Sequence, residues 1–444
     1  MPSPAKVGSF TYLPVEFTKD GAVFKQAQVD AVLKLVGQPA QPNAVTDLFV
    51  ISHGWNNDIP EAEGLYASIF GKVDEVLAQA SPACVNVRAR RVAVVGILWP
   101  SKKFDEASLI AGGAAGMGAN DAAVLKQSLD LLTSFVGTPD ASKSLKRAAA
   151  LAPTLAKSLD ARDEFVRIVR SFMPHDVNSE EPVIPEDLFT LDGDQLLQRL
   201  SRPAHDAQTR GGSGGGAAGF GDWIGKAVDG AKNLVNLVTY YQMKNRAGVV
   251  GEKGAYDVLR QIRAARPADG SNPLRIHLIG HSFGCRLVTA ATAGPSNTSP
   301  LPVDTLTLLQ AAFSHYGFAQ AYDGTHDGFF RRVVTDPARV RGPIIITFTA
   351  KDKAVGLAYP IASRVARQIA AAMGDANDPY GGLGRNGAQK TPGAQTVTLG
   401  KVGSAYTFAT RGIYNLDSNA IIGGHSDLAH PEVAYAIVSA VATV

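Results

Sequence analysis

Arg275-Ile-His-Leu-Ile-Gly-His-Ser-Phe-Gly-Cys285 is a mostly apolar run that closes on Gly280-His281-Ser282-Phe283-Gly284. Ile276, Leu278 and Ile279 predict a short buried strand, and Arg286-Leu-Val-Thr-Ala-Ala-Thr-Ala293 continues with helical spacing. A serine set between the two, with glycine two residues to either side, reads as a nucleophile elbow: a strained strand-to-helix turn that leaves no room for side chains at positions 280 and 284. Gly211-Gly212-Ser213-Gly214-Gly215 matches the same pattern but has no strand before it and no helix after it. Context therefore selects Ser282.

Outward from this turn, four more segments have near-continuous apolar character: Thr46–Ser52, Arg91–Leu98, Asp304–Leu309 and Pro343–Thr349. Such runs predict strands covered on both faces. Helical stretches between them, at Glu61–Gln79, Gly254–Ala265 and Ala358–Ala372, give the alternation of an α/β fold with a mostly parallel, helix-covered sheet. Phe10–Phe17 and Ala405–Thr410 are expected to add edge strands. The alternation lapses between Trp99 and Tyr240, which predicts a core of residues 1–100 and 240–444 and a cap-like helical insertion at 101–239. The insertion's helices are expected at Ala122–Phe135, Lys143–Phe172 and Glu186–Leu200, before a glycine-rich stretch, Gly211–Gly221, that reads as a loop or hinge. Asp375–Gln395 reads as a second loop.

Composition narrows the function classes. The chain has 444 residues, 45% of them hydrophobic, enough to fill a large core. Its formal charge of +3 comes from 43 basic and 40 acidic residues without a basic stripe, so a nucleic-acid partner is not expected. No apolar run is long enough for a transmembrane segment. The two cysteines, Cys84 and Cys285, do not make a disulfide framework and point to a reducing compartment. Met1-Pro-Ser-Pro-Ala-Lys6 lacks the form of a secretory signal, as a secreted chain with its signal trimmed also would, so the expected setting is cytoplasmic with export as the alternative. No cofactor is expected, because phosphate-loop and dinucleotide fingerprints are missing. No metal is expected either: His277 and His281, the one His-x-x-x-His pair, run from strand into turn and do not share a helix face.

A serine hydroxyl needs a base within hydrogen-bond reach and a group that orients the base. After the strand at 343–349 comes Ala350-Lys351-Asp352-Lys353, which puts Asp352 at a strand end; taken alone it is equally an N-cap or turn aspartate. Of the nine histidines only His425 and His430 lie beyond it. Gly423-Gly424 allows a loop to carry an imidazole over the sheet, which favours His425 over His430 beside Pro431. Acyl transfer also needs backbone donors for an oxyanion. Phe283 supplies one N–H, and the turn His53-Gly54-Trp55-Asn56 supplies Trp55, with His53 read chiefly as a hydrogen-bonded structural histidine. Asn56, His53, His281, His315 and Tyr316 are the candidate pocket residues, the last two because they follow a strand's carboxyl end.

These residues carry a resemblance. Ser52-His-Gly-Trp-Asn-Asn57, Leu98-Trp-Pro-Ser101 and Gly280-His-Ser-Phe-Gly284 resemble the α/β-hydrolase superfamily, within it a largely uncharacterised bacterial branch of lipase- and esterase-like proteins. The likeness covers Thr46–Ser101 and Tyr240–Val444; the insertion matches no named cap and stands before the nucleophile, whereas the commoner plan has the cap after it. The resemblance implies Ser282 as nucleophile, His425 as base then acid, Asp352 as orienting acid, and Trp55 and Phe283 as oxyanion donors. It implies a serine hydrolase of small-molecule or lipid carboxylic esters, with a peptidase or amidase using the same triad as the first alternative and a non-catalytic binding protein on the same fold as the second. Leu125, Leu129, Leu132 and Val136 are spaced for the apolar face of a lid, but the spacing equally makes the core side of an ordinary helix.

Overall fold

The computed structural model describes residues 5–101, 121–173, 186–201, 220–269, 273–355 and 380–444. Among them nine strands form one sheet: β1 (Ala5–Val7), β2 (Phe10–Glu16), β3 (Asp47–Ser52), β4 (Val92–Leu98), β5 (Arg275–His281), β6 (Thr305–Leu309), β7 (Ile344–Phe348), β8 (Ala394–Thr398) and β9 (Ile413–Asp417). Their order is β1-β2-β4-β3-β5-β6-β7-β9-β8, and every neighbouring pair is parallel except β1 with β2. The protein is thus of the α/β class, with a mostly parallel sheet and helices.

Alternate residues of the buried strands face opposite ways, and each face is filled by helices. Phe49, Ile51, Val94, Ile279, Leu309 and Ile345 join Tyr66, Phe70, Ala434 and Ile437 in one continuous core, which belongs to the helices Ile59–Leu77 and Pro431–Val441. On the other face Val50, Val95 and Ile97 meet Val258, Leu259 and Ile262 of the helix Tyr256–Ala265. Parallel register brings Ser52 beside Gly280, His281 beside Leu309, and Leu309 beside Thr347. The loops that leave β3, β5, β6 and β7 therefore emerge along one edge of the sheet.

The chain divides into two compact units, Met1–Lys102, Lys244–Gly356 and Gly382–Val444 in one, Lys103–Met243 and Leu357–Gly381 in the other. The expected helix Ala358–Ala372 lies outside the described residues. So does most of the glycine-rich stretch. In the second unit Leu125, Leu129 and Leu132 are buried in a core with Leu145, Phe165, Leu196 and Leu234, so their apolar face is packed. The long helix expected at Lys143–Phe172 is broken into Pro139–Leu151 and Leu159–Arg170, because Pro153 interrupts the hydrogen-bond ladder and Ser158 caps a fresh start by accepting from Ala161 N–H at 3.1 Å.

At the two ends the edge-strand expectations divide. Phe10–Glu16 is a strand, but Ala405–Thr410 is not, and β8 falls partly in the stretch expected to be a loop. The helix expected from Glu61 begins at Ile59, since Asp58 and Glu61 form a reciprocal capping box at 2.9 and 2.8 Å.

Candidate active site

Ser282 stands between β5 and the helix Phe283–Ala293 with φ 57° and ψ −122°. An L residue in that region costs about 1–3 kcal/mol and persists only when its surroundings dictate it. They do: Ser282 N–H donates to Leu309 O at 3.1 Å, while Ser282 O accepts from Cys285 and Ala312 N–H, both at 3.1 Å. The flanking glycines are steric necessities. A Cβ on Gly280 would lie 2.5 Å from Cys285 Cα, and one on Gly284 would lie 2.2 Å from Ser52 O. Cys285 is buried, its thiol donating to Gly280 O at 3.0 Å and pushed well above its ordinary pKa by burial, so it is a packed small residue and no disulfide partner.

The structure brings Ser282, His425 and Asp352 together. His425 Nε2 lies 2.8 Å from Ser282 Oγ, and His425 Nδ1 lies 2.8 Å from Asp352 Oδ2. A carboxylate only accepts, so Nδ1 carries the proton and Nε2 is left to accept from the serine hydroxyl. Asp352 is fully buried. Burial alone would raise its pKa, but the His425 charge and hydrogen bonds from His425, Val355 N–H and Gln310 Nε2 outweigh it and hold the carboxyl below its ordinary value. The loops bearing acid and base are tied together, Ala350 N–H and Thr349 Oγ1 both bonding Asn419 Oδ1 at 2.9 and 3.1 Å. His430 stays out of this group. Its Nε2 pairs with Asp427 Oδ1 at 2.8 Å, and Asp427 Oδ2 accepts from Gly423 N–H at 2.8 Å, which braces the loop around His425.

The turn after β3 approaches Ser282 closely enough that a Cβ on Gly54 would sit 2.5 Å from Ser282 Cβ. His53 is buried behind this turn. Its Nε2 accepts from Trp99 N–H at 3.2 Å, so the proton is on Nδ1, which donates to Gly54 O at 2.9 Å. Asn57 Nδ2 also reaches Gly54 O, at 3.4 Å. With that carbonyl held and no cis peptide present, the Trp55 N–H points the opposite way. Burial pushes the His53 pKa down to about 4, so the ring is neutral near pH 7. Asn56 takes a left-handed φ of 65°, a conformation asparagine tolerates better than most residues, and its N–H donates to Ser101 O at 3.1 Å. The Trp55 and Phe283 rings pack with centroids 6.0 Å apart.

Four of the five candidate pocket residues are packed inside. His53 and His281 are buried among backbone partners, and His315 is fully buried, accepting at Nδ1 from Asn386 Nδ2 at 3.1 Å. Tyr316 is buried against His315 and stacks on Tyr322 with centroids 5.5 Å apart. Only Asn56 is partly exposed. A strand's carboxyl end is signal enough to find this region but not to tell lining from filling.

Gln310 is the residue that sequence reading misses. It follows β6 with φ 46°, is fully buried, and its Nε2 donates to Asp352 Oδ2 at 3.2 Å and to Gly384 O at 2.9 Å. An acid at that position would signal a site, and an amide gives no such signal. Ser101, noted from sequence only as part of the Leu98–Ser101 motif, also has a part here: its hydroxyl donates to Asn57 O at 3.0 Å and accepts from Asn57 N–H at 3.2 Å, fastening the turn that carries Trp55. Among the described residues no group of three His, Cys, Asp or Glu is placed to hold a metal ion, and no helix is long and apolar enough to cross a membrane. No family model, curated protein or solved structure matches the chain.

Proposed function

We propose that the protein is a serine hydrolase that cleaves carboxylic esters through an acyl-enzyme, on a scaffold of the α/β-hydrolase type. The observation that carries this reading is the pair of 2.8 Å contacts that links Ser282 Oγ to His425 and His425 to Asp352. Three others support it. Ser282 is strained on a strand-to-helix turn; nucleophile, acid and base follow in the order Ser, Asp, His; and the loop after β3 reaches the nucleophile. That geometry describes a general acid–base site better than a binding surface, since a ligand pocket has no need of a strained serine.

The chemistry follows from the donors. Ser282 Oγ attacks the ester carbonyl carbon while its proton passes to His425 Nε2. The carbonyl oxygen takes up the charge between the N–H groups of Phe283 and Trp55, the first at the N-terminus of a helix and the second aimed by its clamped carbonyl. Collapse breaks the bond to the alkoxide, which leaves as an alcohol with the proton from His425. Water then repeats the sequence against the acyl group, returning Ser282 and releasing the acid. Ser282 N–H is bonded to Leu309 O, so the nucleophile's own amide takes no part in the oxyanion site.

The test is labelling by a fluorophosphonate probe together with turnover of a short-chain p-nitrophenyl ester and the matching anilide. Wild type is expected to label and to turn over the ester, and Ser282→Ala to do neither. Ester turnover that survives Ser282→Ala would remove the serine from its role. Anilide turnover at a rate equal to the ester's would replace the esterase reading with the amidase one.

A further inference from the structure

His281 immediately precedes Ser282 and is the last residue of β5, yet its side chain points to the backbone of His425. Its Nε2 lies 3.0 Å from the backbone carbonyl oxygen of His425. A carbonyl oxygen only accepts, so Nε2 carries the proton. The other ring nitrogen, Nδ1, is buried with no hydrogen-bond partner. The two imidazoles pack against each other, with centroids 5.0 Å apart and planes tilted by 43°. A buried ring nitrogen left without a partner carries a real cost, and an apolar aromatic of similar shape would avoid it. The cost is offset by what the other nitrogen does.

We propose that His281 is a positioning residue for the reaction, a neutral latch whose Nε2–H holds the backbone of His425 so that the imidazole of that residue stays within reach of Ser282 Oγ. The inference rests on the serine hydrolase reading above. His425 sits on a loop with Gly423 and Gly424 just before it, and glycines give that loop conformational freedom. Asp352 fixes the ring at Nδ1, and the Asp427 brace holds the loop at Gly423, two residues away, so neither bonds the backbone of His425 itself. A second anchor is needed on the backbone, and one that leads directly back to the nucleophile turn fixes the base relative to the atom it must deprotonate. Because Nδ1 of His281 has no acceptor, the ring cannot gain a second proton without stranding it in the interior. Burial, then the nearby His425 charge, pushes its pKa down to about 3. The latch therefore stays uncharged while His425 becomes an imidazolium during turnover, and it adds no like charge beside it.

The test compares wild type with His281→Phe, which keeps an aromatic ring against His425 but removes the donor, and His281→Gln, whose Nε2 is the same number of bonds from the main chain and restores it. Kinetics with the p-nitrophenyl ester, the rate of fluorophosphonate labelling and thermal unfolding are measured on each full-length chain. His281→Phe is expected to lower kcat and the labelling rate about 10- to 100-fold with KM little changed, the penalty of a base displaced by a fraction of an ångström to an ångström. His281→Gln is expected to recover most of that loss, and His281→Phe to lose the far-downfield N–H resonance of the His425–Asp352 bond. A folded His281→Phe that labels as fast as wild type, or a folded His281→Gln no faster than His281→Phe, overturns the latch while the hydrolase reading stands. Should His281→Phe fail to fold, the Gln variant decides alone: wild-type-like kcat and resonance uphold the latch, and a folded Gln variant without them overturns it. A wild-type chain that does not label overturns the hydrolase reading itself.

Discussion

Three donors converge on the Asp352 carboxylate: Val355 N–H on Oδ1 at 3.0 Å, and His425 Nδ1 and Gln310 Nε2 on Oδ2 at 2.8 and 3.2 Å. Removing the acid's charge while keeping its shape, as in Asp352→Asn, leaves the His425 tautomer unfixed and is expected to lower kcat by roughly ten-thousand-fold, read from ester kinetics. Gln310→Leu acts more gently. A hydrogen bond to a charged group is worth about 1.5–3 kcal/mol, so this variant is expected to lose about that much stability in a denaturant titration. Its donor favours the charged carboxylate, so without it the Asp352 pKa rises, seen as an upward shift of that carboxyl's titration followed by carbon-13 NMR. An unchanged titration would mean that Gln310 only fills space. Ser282, Asp352 and His425 can be read from the sequence because each has the right residue type in the right chain order. Gln310 cannot, since its part depends on a left-handed backbone and a cross-loop contact that no local pattern encodes.

At the scale of elements, the central strands are legible and the far edge is not. β3 to β7 are near-continuous apolar runs because they are covered on both faces. β9 reads Ile413-Tyr-Asn-Leu-Asp417, and its polar Asn415 hides a strand whose amide is satisfied by Ala388, with Ala388 N–H donating at 2.8 Å. β8, at the margin and largely exposed, offers the alternation of a surface segment with little apolar signal. The apolar and aromatic Ala405–Thr410 is more strand-like in composition, yet Tyr406 and Phe408 serve to stack on one another over the helix Pro431–Val441. Where elements meet, the glycines are decisive. Gly284→Ala would drive a methyl into Ser52 O and is expected to cost on the order of 1–3 kcal/mol or more, seen as a lowered unfolding midpoint. Gly54→Ala pushes on Ser282 itself, so its effect is expected chiefly in kcat and labelling rate, with a smaller change in unfolding. Equal loss of stability in both variants would refute that division.

For the whole molecule, two of the buried histidines set a pH dependence. His53 and His281 have folded pKa values pushed down to about 4 and about 3 from an ordinary 6.5. Below about 6.5 the unfolded chain binds a proton at each position and the folded chain does not, so acidification favours unfolding. Each contributes a slope on the order of 1.4 kcal/mol per pH unit between roughly pH 6.5 and its folded pKa, and stability is expected to fall steadily over that window. Asp352 adds to this in the same direction at lower pH, since its depressed pKa makes a contribution that is lost as the carboxyl is protonated. Denaturant titrations at a series of pH values check the sum, and His281→Gln should remove one histidine's share of the slope. The α/β class is readable at this scale from the alternation of apolar strands and helical stretches alone.

Trp99 lies flat on the His53 ring, with centroids 5.5 Å apart and planes 13° from parallel, and its indole N–H donates to His53 O at 3.0 Å. It is one of three tryptophans, with Trp55 and Trp223. A protonated imidazole quenches indole emission where a neutral one does so weakly, which makes this stack an optical gauge of the Gly54–Trp55 turn. Light emitted by Trp99 should dim in the same acid range in which His53 accepts its second proton and gives up the bond from Trp99 N–H.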